Sequence, residues 1–119
     1  MLFRALVPAL ALLAGTLAHA EDYPSRPVRL IVAFTAGGTA DQTARLIADK
    51  MRSTLGETVA VENKPGANGA VSAQYVAQSD PDGYTLFFTT AGAAIAPAYR
   101  GDLNYDPIKD FAEIGRAHV

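Results

Sequence analysis

The sequence contains no cysteine and no tryptophan, and its two histidines are His19 and His118. The absence of cysteine excludes disulfide bonds and thiol chemistry. The stretch between the two histidines also excludes histidine-based catalysis and the usual zinc-ligand sets, because it offers no imidazole. The formal net charge is −2. That mildly acidic balance argues against binding to nucleic acid, which needs a basic face, and against an anionic membrane surface.

Residues 1–20 have the layout of a secretory signal peptide. Arg4 precedes an apolar run, and Ala18-His19-Ala20 forms a small-x-small cleavage site. A transmembrane anchor is the alternative, but the run is too short to span a bilayer comfortably. We expect cleavage after Ala20, export, and a mature charge of −3, because the lost segment carries Arg4 and no acidic residue.

The last seven residues, 113–119, raise a separate question. Their sequence, Glu113-Ile114-Gly115-Arg116-Ala117-His118-Val119, is what the codons GAG ATC GGA AGA GCA CAC GTC would encode, and this string matches a widely used short-read sequencing adapter after its first base. We therefore expect 113–119 to be a non-native tail and 21–112 to be the incomplete N-terminal part of a lobe. A genuine C-terminus is the alternative.

Strand-like and helix-like patterns alternate along residues 21–112. The predicted strands are 28–34, 58–63 and 84–89, and the predicted helices are 41–55, 70–78 and 95–99, the first beginning at Asp41 or just before it. The order β-α-β-α-β predicts an α/β fold with a parallel sheet and helices on both faces. The nearly continuous apolar run of the first strand predicts that both of its faces are buried.

Small residues dominate each segment that follows a predicted strand. Ligands of such sheets bind beyond the carboxyl ends of the strands. Gly37 and Gly38 turn the first strand into a helix, which leaves backbone N–H groups free to bind an anion. The GxGxxG spacing of a dinucleotide site and the lysine of a phosphate loop are both missing. Two interpretations of this turn remain. Either its backbone N–H groups hold a carboxylate, or it is a tight turn that binds no ligand.

Four further residues have two readings each. Asp41 is predicted either to cap the first helix or to contact a ligand. Asn68 is predicted to adopt a left-handed turn conformation or to present its amide to a ligand. Thr89 and Thr90 end a predicted strand, where their hydroxyls can reach a ligand or remain unliganded.

The chain resembles the substrate-binding receptors of tripartite tricarboxylate transporters, the Bug family of bacterial periplasmic proteins. The resemblance rests on several stretches in family order. They are Tyr23-Pro24-Ser25-Arg26-Pro27 with 28–34, Gly37-Gly38 with Asp41 and Ala44-Arg45, 61–69, 81–86 and 105–111.

The resemblance implies the first lobe of a two-lobed, Venus-flytrap (type II) periplasmic binding protein, here truncated. It implies a non-catalytic, monomeric receptor without cofactor or metal, which delivers a small organic acid or amino acid to membrane permease subunits. It also implies ligand-binding roles for several residues. These are Thr35, Gly37, Gly38, Thr39, Asp41, Asn68, Thr89, Thr90 and Ala91.

Two other functional classes stay open at this point. One is an exported α/β enzyme whose catalytic residues lie in missing sequence, since residues 21–112 contain neither a GxSxG elbow nor a triad histidine. The other is an inactive fragment, which a melting scan without a cooperative transition would indicate.

Overall fold

A computed structural model describes residues 22–115 of the chain. The predicted signal peptide and residues 116–119 of the predicted tail lie outside this range. Residues 113–115 belong to no helix or strand.

The described elements follow the predicted α/β order. They are β1 (Val28–Val32), α1 (Thr39–Leu55), β2 (Val59–Asn63), a 3₁₀ turn (Ala67–Gly69), α2 (Ala70–Ala77), β3 (Thr85–Phe88), α3 (Ala91–Ile95) and a second 3₁₀ turn (Ala96–Ala98). Both β1–β2 and β1–β3 are parallel pairs, and the strand order is β2-β1-β3. The predicted βαβαβ parallel sheet is therefore confirmed.

The central strand β1 is buried as its apolar run predicts. Val28, Ile31 and Val32 are fully buried. Leu30 pairs with Val61 on one side and with Leu86 on the other, so β1 is covered at both edges as well as on both faces.

The two longer helices cover opposite faces of the sheet. Leu30 and Val32 pack against Ala44 and Ala48 of α1. Arg29 points to the other face, because successive strand side chains alternate, and there it donates a hydrogen bond to the Tyr75 hydroxyl of α2. The predicted arrangement of helices on both faces is confirmed.

One helix prediction agrees with the structure and another is corrected. Helix α1 begins at Thr39, just before Asp41 as predicted, and it is followed by the left-handed Gly56. The predicted helix 95–99 is displaced, because α3 occupies Ala91–Ile95 and only a 3₁₀ turn follows. The small residues that follow the third predicted strand therefore include a short helix. None of the helices between residues 22 and 115 combines the length and the apolar character that crossing a membrane requires.

Candidate functional site

The carboxyl ends of the three strands meet at one edge of the sheet. Val32 pairs with Asn63 and with Phe88, so the three ends are in register. Three connections start there, which we call the first loop (33–38), the second loop (64–69) and the third loop (89–90). Ala33 N–H donates to the Phe88 carbonyl at 3.2 Å, and Lys64 N–H donates to the Val32 carbonyl at 2.9 Å. Backbone hydrogen bonds thus hold the beginning of the first loop to the end of β3 and the beginning of the second loop to the end of β1.

Gly69 brings the three loops into contact. It has φ +90°, and a Cβ at this position would lie 3.3 Å from the Ala33 Cβ and 3.8 Å from the Thr89 Oγ1. Gly69 is buried. The first and third loops therefore both approach the end of the second loop, and only glycine combines this backbone conformation with this spacing.

The first loop presents backbone donors at the start of α1. The first backbone hydrogen bond of the helix runs from Gln42 N–H to the Gly38 carbonyl, at 3.0 Å. The N–H groups of residues 38–41 precede it and have no acceptor in the preceding turn of helix. Gly38 and Thr39 are exposed, Ala40 is half-buried and Asp41 is buried, so the first of these donors lie at the solvent-facing rim of the sheet edge. The positive end of the helix dipole adds to their attraction for an anion.

Asp41 does not cap α1 as predicted. Gly38 takes the N-cap position, and Asp41 lies in the first turn, only 2% exposed. Its Oδ2 accepts the Gly37 N–H at 2.8 Å and the Arg45 Nε–H at 3.0 Å, and its Oδ1 accepts from Asn63 Nδ2 at 2.8 Å. The carboxylate therefore stabilises the loop that precedes the helix, and both of its oxygens are engaged within the chain.

The partners of Asp41 keep it ionised. The hydrogen bond from Arg45 is the main cause that lowers the pKa of Asp41 to about 2, and those from Gly37 and Asn63 add to it. A folded-state pKa below the unfolded one stabilises the fold above the unfolded pKa, about 4, and this stabilisation disappears as the pH falls towards the folded pKa.

We expect Asp41→Asn to lower the free energy of unfolding most above about pH 4 and progressively less towards pH ~2. Urea unfolding of the two proteins across this interval measures the difference. A difference between them that does not change with pH would show that ionised Asp41 has no such role.

The second loop has a left-handed backbone. Four consecutive residues have positive φ: Gly66 (142°), Ala67 (46°), Asn68 (55°) and Gly69 (90°). The left-handed conformation predicted for Asn68 is confirmed, and its side chain is exposed. Arg100 Nη1 donates to the Ala67 carbonyl at 3.3 Å, so a residue beyond α3 also contacts this loop.

The third loop leads directly into α3. Thr90 is the N-cap residue of α3, with extended backbone and no hydrogen bond from its side chain to the helix. Thr90 and Ala91 are exposed, and Thr89 is half-buried. Together with the first and second loops, they place eight of the nine predicted site residues at the surface of one sheet edge, and Asp41 beneath it.

Two residues of this edge carried no predicted role in the sequence. Asn63 ends β2 and bonds to both Asp41 and the first loop, and Ser72 Oγ donates to the Lys64 carbonyl beneath the second loop. A polar residue at the carboxyl end of a predicted parallel strand is the signal that indicates Asn63. Among residues 22–115, no group of three or more His, Cys, Asp or Glu side chains is arranged to hold a metal ion.

Comparison with known proteins identifies the family. The profile of the tripartite tricarboxylate transporter family receptor, TctC, matches residues 43–118. The chain belongs to this receptor family. A UPF0065 protein of Bordetella bronchiseptica is 43% identical over 110 residues, which are 92% of this chain and 33% of that protein. One from Agrobacterium vitis is 48% identical over 99 residues, 82% of this chain and 29% of that protein. The chain thus spans about a third of the length of these relatives.

Solved structures of periplasmic receptors share the fold. The periplasmic binding protein BugD has a TM-score of 0.72 and 47% identity, over 75% of this chain and 30% of its own. MatC of Rhodopseudomonas palustris, solved with bound malate, has a TM-score of 0.63 and 40% identity, over 75% of this chain and 31% of its own. Another R. palustris protein, solved with adipate, has a TM-score of 0.58 and 44% identity, over 60% of this chain and 24% of its own. The resemblance read from the sequence is confirmed, and so is the periplasmic-binding-protein fold.

Proposed function

We propose that the chain is part of the first lobe of an extracytoplasmic solute receptor that binds a small organic carboxylate. The observation that carries the proposal is the group of N–H donors at residues 38–41, which lies at the sheet edge where the three loops meet. Backbone donors at a helix N-terminus suit a carboxylate. The malate and adipate bound by two relatives are both dicarboxylates, which supports the same ligand class here.

The proposed contacts divide between the three loops. The first loop and the start of α1 would supply backbone N–H groups, and the second and third loops would supply the side chains of Asn68, Thr89 and Thr90. The residues proposed to face the ligand are Thr35, Gly37, Gly38, Thr39, Asn68, Thr89, Thr90 and Ala91.

Asp41 would support the site from beneath. Its charge faces Arg45, at 3.0 Å, so the pair contributes little net charge and the attraction for a carboxylate comes from backbone dipoles. An ionised Asp41 under the loop also disfavours direct contact between a second carboxylate and the Gly37 N–H, which it already accepts. A ligand carboxylate is therefore expected nearer to residues 38–40, directly or through water.

The remaining features of the proposal follow from the family. We propose that the protein is exported to the periplasm and cleaved after Ala20. There it would act as a monomeric receptor without catalytic activity, without a cofactor and without binding to nucleic acid, and it would deliver its ligand to membrane permease subunits. Membership of a receptor family supports the absence of catalysis, and the similarity to the periplasmic binding protein BugD supports the periplasmic location. The second lobe and the hinge would lie in sequence outside this chain.

Isothermal titration calorimetry on the full-length receptor tests this proposal. We expect saturable binding of at least one acid in a panel of malate, adipate, tricarboxylates and acidic amino acids. A receptor that is folded by circular dichroism but binds none of these acids would refute the proposed ligand class.

A further inference from the structure

Asn63 connects the end of β2 to the first loop. Its Nδ2 donates to the Phe34 carbonyl at 3.0 Å and to Asp41 Oδ1 at 2.8 Å, while its Oδ1 accepts from Arg45 Nη2 at 3.3 Å. Both N–H bonds of the amide are thus used, and its carbonyl faces a cation. The orientation of the side chain follows from this pattern, since the flipped amide would place its oxygen against two acceptors.

Asp41 extends the same network to the other end of the loop. It receives the Asn63 amide on Oδ1 and the Gly37 N–H on Oδ2. Asn63 and Asp41 together therefore hold the Phe34 carbonyl and the Gly37 N–H, at the two ends of the turn 34–37. We call this pair of residues the Asn63–Asp41 clamp.

Beside the clamp, Phe34 packs against the hydrophobic core and Gln42 Nε2 donates to the Gly37 carbonyl at 3.3 Å, but the turn is otherwise open to solvent. Residues 35–38 are exposed, and two of them are glycines with wide conformational freedom in the unconstrained state. Gly37 has φ +87°, and a Cβ there would meet nothing within 4 Å. Without the clamp, a ligand that binds to this loop would have to order it, and the ordering would reduce the affinity.

We propose that Asn63 is a positioning residue of the carboxylate site, which acts through Phe34 and Asp41 without touching the ligand. This inference rests on the proposed function. The hydrogen bonds of Asn63 go to the first loop and to the start of α1 rather than to the hydrophobic core. Their loss should therefore reduce ligand affinity more than it reduces folding stability.

Two substitutions in the full-length receptor test the role of Asn63. Asn63→Ala removes the amide, and Asn63→Asp keeps its size but places a carboxylate against Asp41 Oδ1 and the Phe34 carbonyl. We expect each to raise the Kd for malate or adipate about tenfold or more, because a hydrogen bond to a charged group is lost. Asn104→Ala is the control for an exposed asparagine. Val59→Ala is the control for destabilisation, since it truncates the same strand and leaves the clamp intact. Both controls should keep the wild-type Kd.

Hydrogen exchange of the Gly37 amide provides a second readout, which a general loss of stability would not reproduce. We expect faster exchange at Gly37 in both Asn63 variants and unchanged exchange at Gly56, whose N–H is bonded to the Arg52 carbonyl at the far end of α1. If Asn63→Asp fails to fold, Asn63→Ala carries the test.

The outcomes separate this inference from the proposed function. A wild-type receptor that binds the acid, with variants of unchanged Kd and unchanged Gly37 exchange, would overturn the positioning role and leave the proposed function intact. A wild-type receptor that binds no carboxylate would overturn the proposed function, and with it the role of Asn63 in a carboxylate site, while Gly37 exchange would still show whether Asn63 holds the turn.

Discussion

Gly69→Ala is expected to weaken both the fold and carboxylate binding. A left-handed backbone costs a non-glycine residue on the order of 1–2 kcal/mol, and the new Cβ would also lie 3.3 Å from the Ala33 Cβ. Ala33 is the first residue of the first loop, and Thr89 Oγ1 would lie 3.8 Å from the same Cβ. The added methyl group would therefore push the first loop away from the second loop and crowd the third. Thermal unfolding and calorimetric Kd measurements on the full-length receptor detect the two effects.

Gly56→Ala is the matched control for this substitution. Gly56 also has positive φ, +77°, but a Cβ there would meet nothing within 4 Å, and the residue lies at the opposite end of α1. We expect this variant to lose stability through backbone strain alone and to bind with the wild-type Kd. If Gly69→Ala binds as tightly as Gly56→Ala, the close approach of the loops at Gly69 is irrelevant to the site.

Ile31→Ala is expected to have the largest effect on stability. Ile31 is fully buried in the central strand, and truncation of such a side chain to alanine costs about 2–5 kcal/mol, because apolar burial is lost and a cavity remains. Urea unfolding measures this cost as a lower midpoint with an unchanged denaturant slope.

Ile108→Ala is the corresponding control, because Ile108 is 85% exposed. We expect its free energy of unfolding to stay within about 0.5 kcal/mol of the wild type. Equal losses in the two variants would mean that β1 is not the centre of the core.

The sheet could be predicted from the sequence because its signals are local. The apolar run from Val28 to Val32 indicates a buried strand by itself, and its alternation with helical patterns indicates parallel pairing. The exact ends of the helices were harder to predict. The sequence placed the start of the first helix near Asp41, since aspartate is a favoured N-cap residue. The helix begins two residues earlier, at Thr39, with Gly38 as its N-cap residue, so Asp41 lies inside the first turn.

The clamp could not be predicted from the sequence because it depends on distant residues. Asn63 is 22 residues from Asp41 and 29 from Phe34, and only the parallel register of β1 and β2 brings them together. The third helix shows a different difficulty. Ala91–Ile95 lacks a polar face and a strong pattern, and its helix forms where it packs on the 3₁₀ turn Ala67–Gly69 of the second loop. Its alanines favour a helix by intrinsic propensity, but five residues are too few to show a helical period.

The most direct test of the central claim compares adipate with adipamide, its uncharged diamide, by calorimetry on the full-length receptor. The two molecules have the same chain length, and only the acid carries the charges that backbone donors at residues 38–41 would attract. The account predicts that any acid of the panel that binds, whether adipate or another, will bind at least about tenfold more tightly than its amide. Equal affinity for a binding acid and its amide, or tighter binding of the amide, would contradict a carboxylate receptor built on this edge of the sheet.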